Sequence, residues 1–331
     1  MPIRKATSCA NSNIALIKYW GNRDDKLRLP TNGSISITLD GLTTTTTVTF
    51  DPALAADQVQ IGAGIVSGEA AARVSQHLDH VRQLAGVTDH AEVVSVNNFP
   101  TGVGIASSAS AFAALSLAAT AALGLSLSER ALSSLARLGS GSAARSIPGG
   151  FVEWYAADQH ADSYAESFAP ADYWSLIDLI AIVSRTHKTT GSTEGHALAN
   201  SSPYQATRVA TAPERIARCK QAVLARDFDA LAEVVEHDST LMHAVMMTGN
   251  PALFYWQPST LAIMASVREW RAAGLPVCYT IDAGANVHCL TLPDQADAIR
   301  TRLRAVPGVE EVLYAAPGGP AHLLERLIAS P

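Results

Sequence analysis

The sequence predicts an α+β fold, in which antiparallel sheets and helices form separate layers. Runs of β-branched residues stand next to one another along the chain, as they do in hairpins. Between these runs, apolar residues recur at helical spacing. Hydrophobic residues make up 48% of the 331 positions, which is enough for a large core and excludes a disordered chain.

The first half of the chain begins with extended segments. Residues 34–50 alternate β-branched and polar side chains around Asp40-Gly41, which predicts two strands joined by a tight turn. The remaining elements predicted before residue 160 are a helix over 67–85, a strand over 92–97, an alanine-rich buried helix within 105–127, a helix over 128–138, a short helix in the loop 139–150, and a strand from 151.

A polar segment without periodicity, residues 185–206, follows an apolar strand-length run at 176–184. We place a domain hinge there and predict an N-terminal domain over 1–190 and a C-terminal domain over 191–331. The elements predicted after it are helices over 213–226, 228–247 and 258–273, a pair of strands around a turn at 282–286, and a last helix, strand and glycine-proline loop.

Charge and cysteine content exclude several classes of protein. The net charge is -6 without a basic block, which argues against binding to nucleic acid or to an anionic membrane. Four cysteines form no CxxC pair, and the first residues carry no apolar export signal, so we expect a reduced, cytoplasmic protein. Residues 105–127 are long enough to span a bilayer, but their Ala, Ser and Thr content favours a buried helix.

The segment from Pro100 to Ser110 has the composition of a phosphate-binding loop. Gly102 and Gly104 let the backbone approach a ligand, and the helix that follows offers unpaired N–H groups. Ser107 and Ser108 add hydroxyls in its first turn. The alternative is a glycine-rich turn that only joins a strand to a buried helix.

Three charged residues stand in unusual surroundings. Lys18 lies among Ile, Leu, Tyr and Trp, where a cation either has an anionic partner or extends to water. Arg145, among small residues, either binds a carboxylate or phosphate through its planar fork or is an exposed loop residue. Asp282 ends an apolar strand and is either a turn residue or a buried base at the mouth of a site.

The histidines do not predict a metal site. His77 and His80, like His237 and His243, lack the i, i+4 spacing of ligands on one helix face, and no carboxylate cluster accompanies them. We interpret them as surface or packing residues and predict no protein-held metal.

Six segments together resemble one family. NIALIKYWG, LPTNGSIS, NNFPTGVGIASSAS, SGSAARS, GGFVEW and TIDAG are similar, in this order, to the signatures of the mevalonate diphosphate decarboxylases of the GHMP kinase superfamily. The resemblance runs from residue 9 to about 290 and implies the two-domain GHMP fold with its site in the cleft between domains. It further implies ATP and Mg²⁺ as co-substrate and cofactor, a phosphorylated mevalonate as substrate, and a place in isoprenoid biosynthesis. Dimers are common in that family, so a homodimer stays open.

The resemblance also implies roles for single residues. Asp282 corresponds to the family's catalytic aspartate, which orients or deprotonates the substrate 3-hydroxyl; Lys18 balances charge near the transferred phosphoryl group, and Arg145 holds the substrate carboxylate. Substrate-binding roles fall to Asn13, Tyr19, Asn22, Ser142 and Arg145. ATP-binding roles fall to Pro100, Gly102, Gly104, Ala106, Ser107, Ser108, Lys188 and Ser192.

One departure from the family pattern concerns the substrate. Members that use the diphosphate usually read KYWGK, whereas this chain has Asn22 at the last position. One cation fewer near the substrate phosphates favours mevalonate 5-phosphate and its product isopentenyl phosphate, unless the adjacent Arg23 compensates. The same reaction on mevalonate 5-diphosphate is the alternative. A GHMP kinase without decarboxylation and a non-catalytic binding protein are the rival classes.

Overall fold

The computed structural model describes residues 3–99, 107–186 and 190–328. The strands in this part of the chain are β1 (Arg4–Ile17), β2 (Asn22–Asp24), β3 (Leu29–Pro30), β4 (Ser34–Phe50), β5 (Gln58–Ile61), β6 (Gly64–Ile65), β7 (Ala91–Asn97), β8 (Phe151–Trp154), β9 (Ala165–Ala169), β10 (Ile177–Ile182), β11 (Val277–Thr280), β12 (Val287–Thr291), β13 (Glu311–Ala315) and β14 (His322–Ile328). The helices are α1 (Gly68–Ala85), α2 (Ser107–Ala122), α3 (Glu129–Gly139), α4 (Ser192–Leu198), α5 (Gln205–Ala210), α6 (Ala212–Ala225), α7 (Phe228–Thr248), α8 (Pro258–Ala272) and α9 (Ala296–Arg304). A short 3-10 helix over Gly141–Ser146 follows α3.

The larger sheet has the strand order β14-β1-β4-β7-β5-β6, and β8 and β9 continue from β4. Its pairs are antiparallel except for β5 and β7. Helices α1, α2 and α3 contribute to a core with β1, β4 and β7, in which Val48, Phe50, Leu78, Leu115 and Leu135 are buried. The predicted α+β class is confirmed by these antiparallel strands and their separate helix layer.

The second sheet has the order β11-β12-β10-β13 and is antiparallel throughout. One face packs against α8 and α9, through residues such as Ile263 and Ile299. The other face shares an apolar layer with α6, α7, β1 and β4. Thr280 Oγ1 donates to the backbone oxygen of Ala15 at 3.3 Å, so the end of β11 lies against β1. The segments that follow these two strands are therefore brought together.

The predicted hairpin at Asp40-Gly41 is wrong. Residues 34–50 form one strand, and its register against β1 shifts between Asn11 and Ser12, which pair with Thr43 and Leu39. The intervening residues form a bulge, with Gly41 at a φ of +80°. An Asp-Gly pair supplies the same left-handed backbone to a bulge as to a tight turn, so the local sequence does not separate the two.

Two further predictions are wrong, both in segments where the hydrophobic periodicity of the sequence is weak. The segment 185–206, in which the sequence shows no periodicity, contains α4 and the beginning of α5, which are too short for a helical period to show. The C-terminal loop was expected to close the chain, but β14 follows it and pairs with β1. Because β14 is an edge strand, its leucines are exposed and its alternation is weak. The domain division at residue 190 stays a prediction.

The long helices and the strands around residues 282–286 agree with the sequence. The helices predicted over 67–85, 128–138, 213–226, 228–247 and 258–273 each lie within a residue or two of α1, α3, α6, α7 and α8. The alanine-rich helix is α2, most of whose residues are buried. Within the described residues, no helix is both long and apolar enough to cross a membrane.

Candidate active site

Lys18 and Asp282 form an ion pair where the two sheets meet. Lys18 directly follows β1, and Asp282 lies just beyond β11. Lys18 Nζ donates to Asp282 Oδ1 at 2.5 Å. The Lys18 side chain is 1% exposed and that of Asp282 is 25% exposed, so the carboxylate is the accessible member. The pair therefore presents a carboxylate with a buried ammonium group behind it.

The surroundings set the charge of both groups. Burial lowers the pKa of Lys18, and the neighbouring charge of Asp282 opposes that effect. Burial alone would raise the pKa of Asp282, but neighbouring positive charge, Lys18 first, together with the hydrogen bond from Lys18, outweighs it and holds that pKa below its usual value. Asp282 is therefore ionised at neutral pH and is a weak base.

A buried polar network fixes the backbone at Lys18. Asp238 Oδ2 accepts a hydrogen bond from the Lys18 backbone N–H at 2.6 Å, and its Oδ1 accepts one from Arg215 Nε at 2.6 Å. Arg208 Nη2 donates to the Lys18 backbone oxygen at 2.6 Å. All three network side chains are buried. Because both backbone groups of Lys18 are hydrogen-bonded, the point from which its side chain extends is fixed.

Arg145 lies beside this pair with its guanidinium group largely uncommitted. Its Nη1 donates to Ser34 Oγ at 2.7 Å and its Nε to Asn13 Oδ1 at 3.4 Å, while the group lies 5.7 Å from the ring centre of Trp154. Burial lowers the pKa of Arg145 to about 10, and the charge of Asp282 partly restores it. Within the described part of the chain, no carboxylate forms an ion pair with Arg145. A buried cation without an anionic partner favours an anionic ligand.

Asn13 connects this arginine to a row of serines. Its Nδ2 donates to Ser146 Oγ at 2.7 Å and to the Ser142 backbone oxygen at 3.2 Å. Ser142 Oγ lies 3.4 Å from Ser140 Oγ, which in turn lies 3.2 Å from Ser108 Oγ. The hydroxyls thus run from the first turn of α2 towards the Asn13 and Arg145 side chains.

Tyr19 and Asn22 are joined to each other rather than to a cation. The Tyr19 hydroxyl donates to Asn22 Oδ1, and Asn22 Nδ2 donates to Asp25 Oδ1 at 2.9 Å. The Tyr19 ring stacks on His196 with centroids 4.0 Å apart and meets Trp154 edge-on at 4.7 Å. Asn22 is therefore held in place, and its neighbour on the open side is a carboxylate.

Arg23, the residue that would compensate for Asn22, has other partners. Its Nη1 is paired with Asp158, and its Nε donates to the Pro30 backbone oxygen at 3.1 Å. The Arg23 side chain is 40% exposed. In this arrangement its charge is directed to Asp158 rather than to Tyr19 and Asn22.

The predicted phosphate-binding residues are described only in part. Ser107 and Ser108 open α2, and Ser192 opens α4, although its side chain is not described. The predicted residues that lie outside the described part of the chain are Pro100, Gly102, Gly104, Ala106 and Lys188.

Some residues that fix the backbone around the site were not predicted from the sequence. Asp238 occupies the predicted apolar face of α7, three positions after Val235 and four before Met242, where an acid signals a buried partner. His196 accepts a hydrogen bond from the Gly21 backbone N–H at 2.9 Å through Nδ1, but its segment carried no hydrophobic period.

Among the described residues, no three His, Cys, Asp or Glu side chains lie close enough to hold a metal ion. His77 instead bonds to Ser116 Oγ at 2.8 Å inside the core.

Comparisons with known proteins agree with this arrangement. Residues 10–165 match the diphosphomevalonate decarboxylase-like N-terminal domain, and residues 178–315 match the mevalonate 5-diphosphate decarboxylase C-terminal domain. The diphosphomevalonate decarboxylase of Aspergillus fumigatus is 37% identical, covering 92% of this chain and 81% of that protein. The phosphomevalonate decarboxylase of Haloferax volcanii is 36% identical, covering 97% of this chain and 98% of that protein.

A solved structure extends the similarity to three dimensions. MDDEF in complex with MVAPP, AMPPCP and magnesium superposes with a TM-score of 0.92 at 36% identity, covering 98% of this chain and all of that one. The resemblance inferred from six sequence segments is thereby confirmed, together with the GHMP fold. The chain belongs to the family of diphosphomevalonate and phosphomevalonate decarboxylases.

Proposed function

We propose that this enzyme catalyses the ATP-dependent decarboxylation of mevalonate 5-phosphate to isopentenyl phosphate. The observation that carries the reaction type is the partly exposed carboxylate of Asp282, paired with buried Lys18, beside the guanidinium of Arg145, which forms no ion pair with a carboxylate in the described part of the chain. The hydroxyl and the carboxylate of the substrate, and the phosphoryl group transferred from ATP, each have a complementary group there. The reaction gives isopentenyl phosphate, CO₂, ADP and inorganic phosphate.

Asp282 orients the tertiary 3-hydroxyl of the substrate. ATP supplies the phosphoryl group that turns this hydroxyl into a leaving group. Phosphoryl transfer through a loose transition state requires positioning more than strong base catalysis, which suits a carboxylate whose pKa is lowered. Asp282 accepts the hydroxyl proton as the new P–O bond forms, and Lys18 offsets negative charge at the same point.

Arg145 distinguishes a decarboxylase from a plain kinase. When phosphate leaves C3, the C1–C2 bond breaks and CO₂ departs. The electron pair of the C1–C2 bond then forms the C2–C3 double bond. This step requires the C1 carboxylate to be held in one orientation. The planar fork of Arg145 can bind that carboxylate, and its bonds to Ser34 and Asn13 fix its direction. A kinase that only phosphorylates has no use for such a group.

The donors at the start of α2 suit the phosphates of ATP. Ser107 and Ser108 lie in the first turn, where backbone N–H groups are unpaired and the helix dipole is positive. Ser108 and Ser140 provide neighbouring hydroxyls. Mg²⁺ takes phosphate oxygens and water readily, so this set of donors suits a metal-bound nucleotide. We assign Lys188 and Ser192 to the same phosphates from the family pattern alone.

The preference for a monophosphate follows from the surroundings of Asn22. Its amide is committed to Tyr19 and Asp25, so it offers no charge to a phosphate, and the Asp25 carboxylate would repel one. Arg23 is held by Asp158. These contacts support one phosphate rather than two at this end of the substrate.

The second candidate is the same reaction on mevalonate 5-diphosphate. It is favoured by the names of most relatives, whereas the Haloferax relative, which matches over nearly its whole length, is a phosphomevalonate decarboxylase. Purified protein with ATP and Mg²⁺ should be given mevalonate, its 5-phosphate and its 5-diphosphate in separate reactions, with released CO₂ and products identified by mass spectrometry. We expect the 5-phosphate to give isopentenyl phosphate fastest. A phosphorylated product without CO₂ would instead establish a kinase.

A further inference from the structure

Arg28 lies in the turn between β2 and β3 in a backbone conformation that arginine rarely adopts. Its φ is +48°, and Arg226 is the one other non-glycine residue with positive φ in the described part of the chain. Such a conformation costs free energy in an L-residue and persists only where its surroundings require it. The contacts of the Arg28 side chain are therefore expected to hold this backbone conformation in place.

Arg28 and Arg73 converge on the end of α3. Arg28 Nε donates to the Leu138 backbone oxygen at 3.0 Å, and Arg73 Nη2 donates to the adjacent Gly139 backbone oxygen at 2.8 Å. Burial and then the charge of Arg28 lower the pKa of Arg73 to about 10. Two guanidinium groups are thus held side by side, immediately before the segment that carries Ser142 and Arg145.

In residues 3–99, 107–186 and 190–328, no carboxylate forms an ion pair with Arg28 or Arg73, although the more distant charge of Glu69 offsets part of the Arg73 charge. Arg73 Nε is buried without a hydrogen-bond partner in this part of the protein, and Arg28 donates from Nε to the Leu138 backbone oxygen while its side chain remains partly exposed. The carbonyl oxygens at the end of α3 offset part of the charge, but most of the N–H donors remain available.

The Arg28 charge also reaches the Tyr19 and Asn22 pair. Burial raises the pKa of the Tyr19 hydroxyl, and among the charged groups that act on it Arg28 has the largest effect, ahead of Arg145. The turn that carries Arg28 connects the strand of Asn22 to β3. The Arg28 charge therefore acts on the Tyr19 hydroxyl, which is hydrogen-bonded to Asn22.

We propose that Arg28 binds the single phosphate group at the C5 end of the substrate. The inference rests on the proposed function, because it assumes a substrate with a phosphate at C5. A guanidinium fork binds phosphate oxygens in pairs, which a lysine does not. Arg28 is thus a residue that determines specificity for the phosphorylated end of the substrate, separate from Asp282 and Arg145 at the reacting end.

The test compares Arg28→Gly with Arg226→Gly in binding titrations. Glycine adopts positive φ without strain, so both variants should fold and unfold at the wild-type temperature or above it. Arg226 contacts the Tyr173 ring at 4.7 Å and caps α6, and it has no assigned role in the site. The two variants therefore remove the same side chain from the same backbone conformation at two places.

We expect Arg28→Gly to weaken the binding of mevalonate 5-phosphate and of pyrophosphate by about tenfold or more. Binding of unphosphorylated mevalonate and of ATP should change less than about twofold, and Arg226→Gly should match the wild type. Arg28→Lys keeps the positive charge but loses the guanidinium bond to the Leu138 backbone oxygen, and it should bind the phosphorylated ligands more tightly than Arg28→Gly. If Arg28 only supported the end of α3, the two variants would lose affinity equally.

Unchanged affinity for mevalonate 5-phosphate in Arg28→Gly would overturn the inference and leave the decarboxylase proposal intact. An equal loss for unphosphorylated mevalonate would overturn it too, because the effect would then be structural. Wild-type protein that binds pyrophosphate through Arg28 but converts no phosphorylated mevalonate would support Arg28 as an anion site and refute the proposed function.

Discussion

Lys18 Nζ lies 2.5 Å from Asp282 Oδ1 although the two residues are 264 positions apart in the chain. Lys18 directly follows a strand of the larger sheet, and Asp282 lies in the loop after a strand of the smaller one. The bond between Thr280 and Ala15 holds these strand ends together. The proposed catalytic pair therefore exists only when both sheets are assembled, so local damage to either sheet should impair catalysis.

Replacing the carboxylate of Asp282 tests its role in turnover. Asp282→Asn keeps the shape but cannot accept the hydroxyl proton, and it leaves the Lys18 charge without its partner. We expect kcat to fall by at least ~10²-fold while ATP affinity stays within about twofold. Steady-state kinetics with a nucleotide-binding titration measure both. Retention of more than about a tenth of the wild-type rate would contradict the assignment.

Arg145→Lys separates charge from geometry at the substrate carboxylate. The variant keeps a cation but loses the planar fork that bonds to Ser34 and Asn13. We expect a higher KM for the substrate and slower CO₂ release, with little change in ATP affinity. If ATP affinity falls instead, Arg145 belongs to the nucleotide site.

Two ion pairs between α6 and α7 provide a matched comparison of stability. Arg215 and Asp238 form a buried pair at 2.6 Å, whereas Arg218 and Glu233 form an exposed one at 3.1 Å. Asp238→Asn leaves a buried guanidinium unpaired and should lower the free energy of unfolding by about 3–5 kcal/mol. Glu233→Gln should change it by about 1 kcal/mol or less. Denaturant unfolding measures both, and equal losses would show that burial does not govern these pairs.

Buried histidines predict how stability responds to acid. Burial lowers the pKa of His77 to about 3, whereas an unfolded histidine titrates near ~6.5. Between these pH values the unfolded state binds a proton that the folded state does not. The contribution of His77 to the free energy of unfolding is therefore fully present above pH ~6.5 and is lost as the pH falls towards 3. The loss amounts to about 1.4 kcal/mol per pH unit.

The measurement is the free energy of unfolding from pH 7 to pH 4 in the wild type and in His77→Gln. The variant should show a shallower fall than the wild type by that slope. Parallel curves for His77→Gln and the wild type would mean that His77 is protonated in the folded protein.

The sequence singled out the residues of the proposed reacting group more readily than the residues that hold them in place. Lys18, Arg145 and Asp282 were identifiable because charged residues stood in apolar or small-residue surroundings and matched family motifs. Asp238 and His196 were not, since each acts on a segment distant in the chain, and only the folded structure brings those segments together. The hairpin predicted at Asp40-Gly41 was wrong for the opposite reason, because the same local sequence is found both in hairpin turns and in bulges.

Asn22→Lys tests whether charge near Asn22 controls substrate choice. The new ammonium group meets an additional phosphate only in the 5-diphosphate, so the ratio of kcat/KM for the two substrates should move towards the diphosphate by about tenfold. The shift should diminish as salt concentration rises, because an exposed contact is screened. An unchanged ratio would place the cause of the preference elsewhere in the site.

The most direct test of the account is the ratio of kcat/KM for mevalonate 5-phosphate to that for mevalonate 5-diphosphate in the wild-type enzyme. Both substrates should be assayed at saturating ATP and Mg²⁺ with CO₂ release as the readout. The surroundings of Asn22, with its amide bound to Tyr19 and Asp25, predict a ratio above one. A ratio below one would contradict the monophosphate assignment and establish the diphosphate as the substrate.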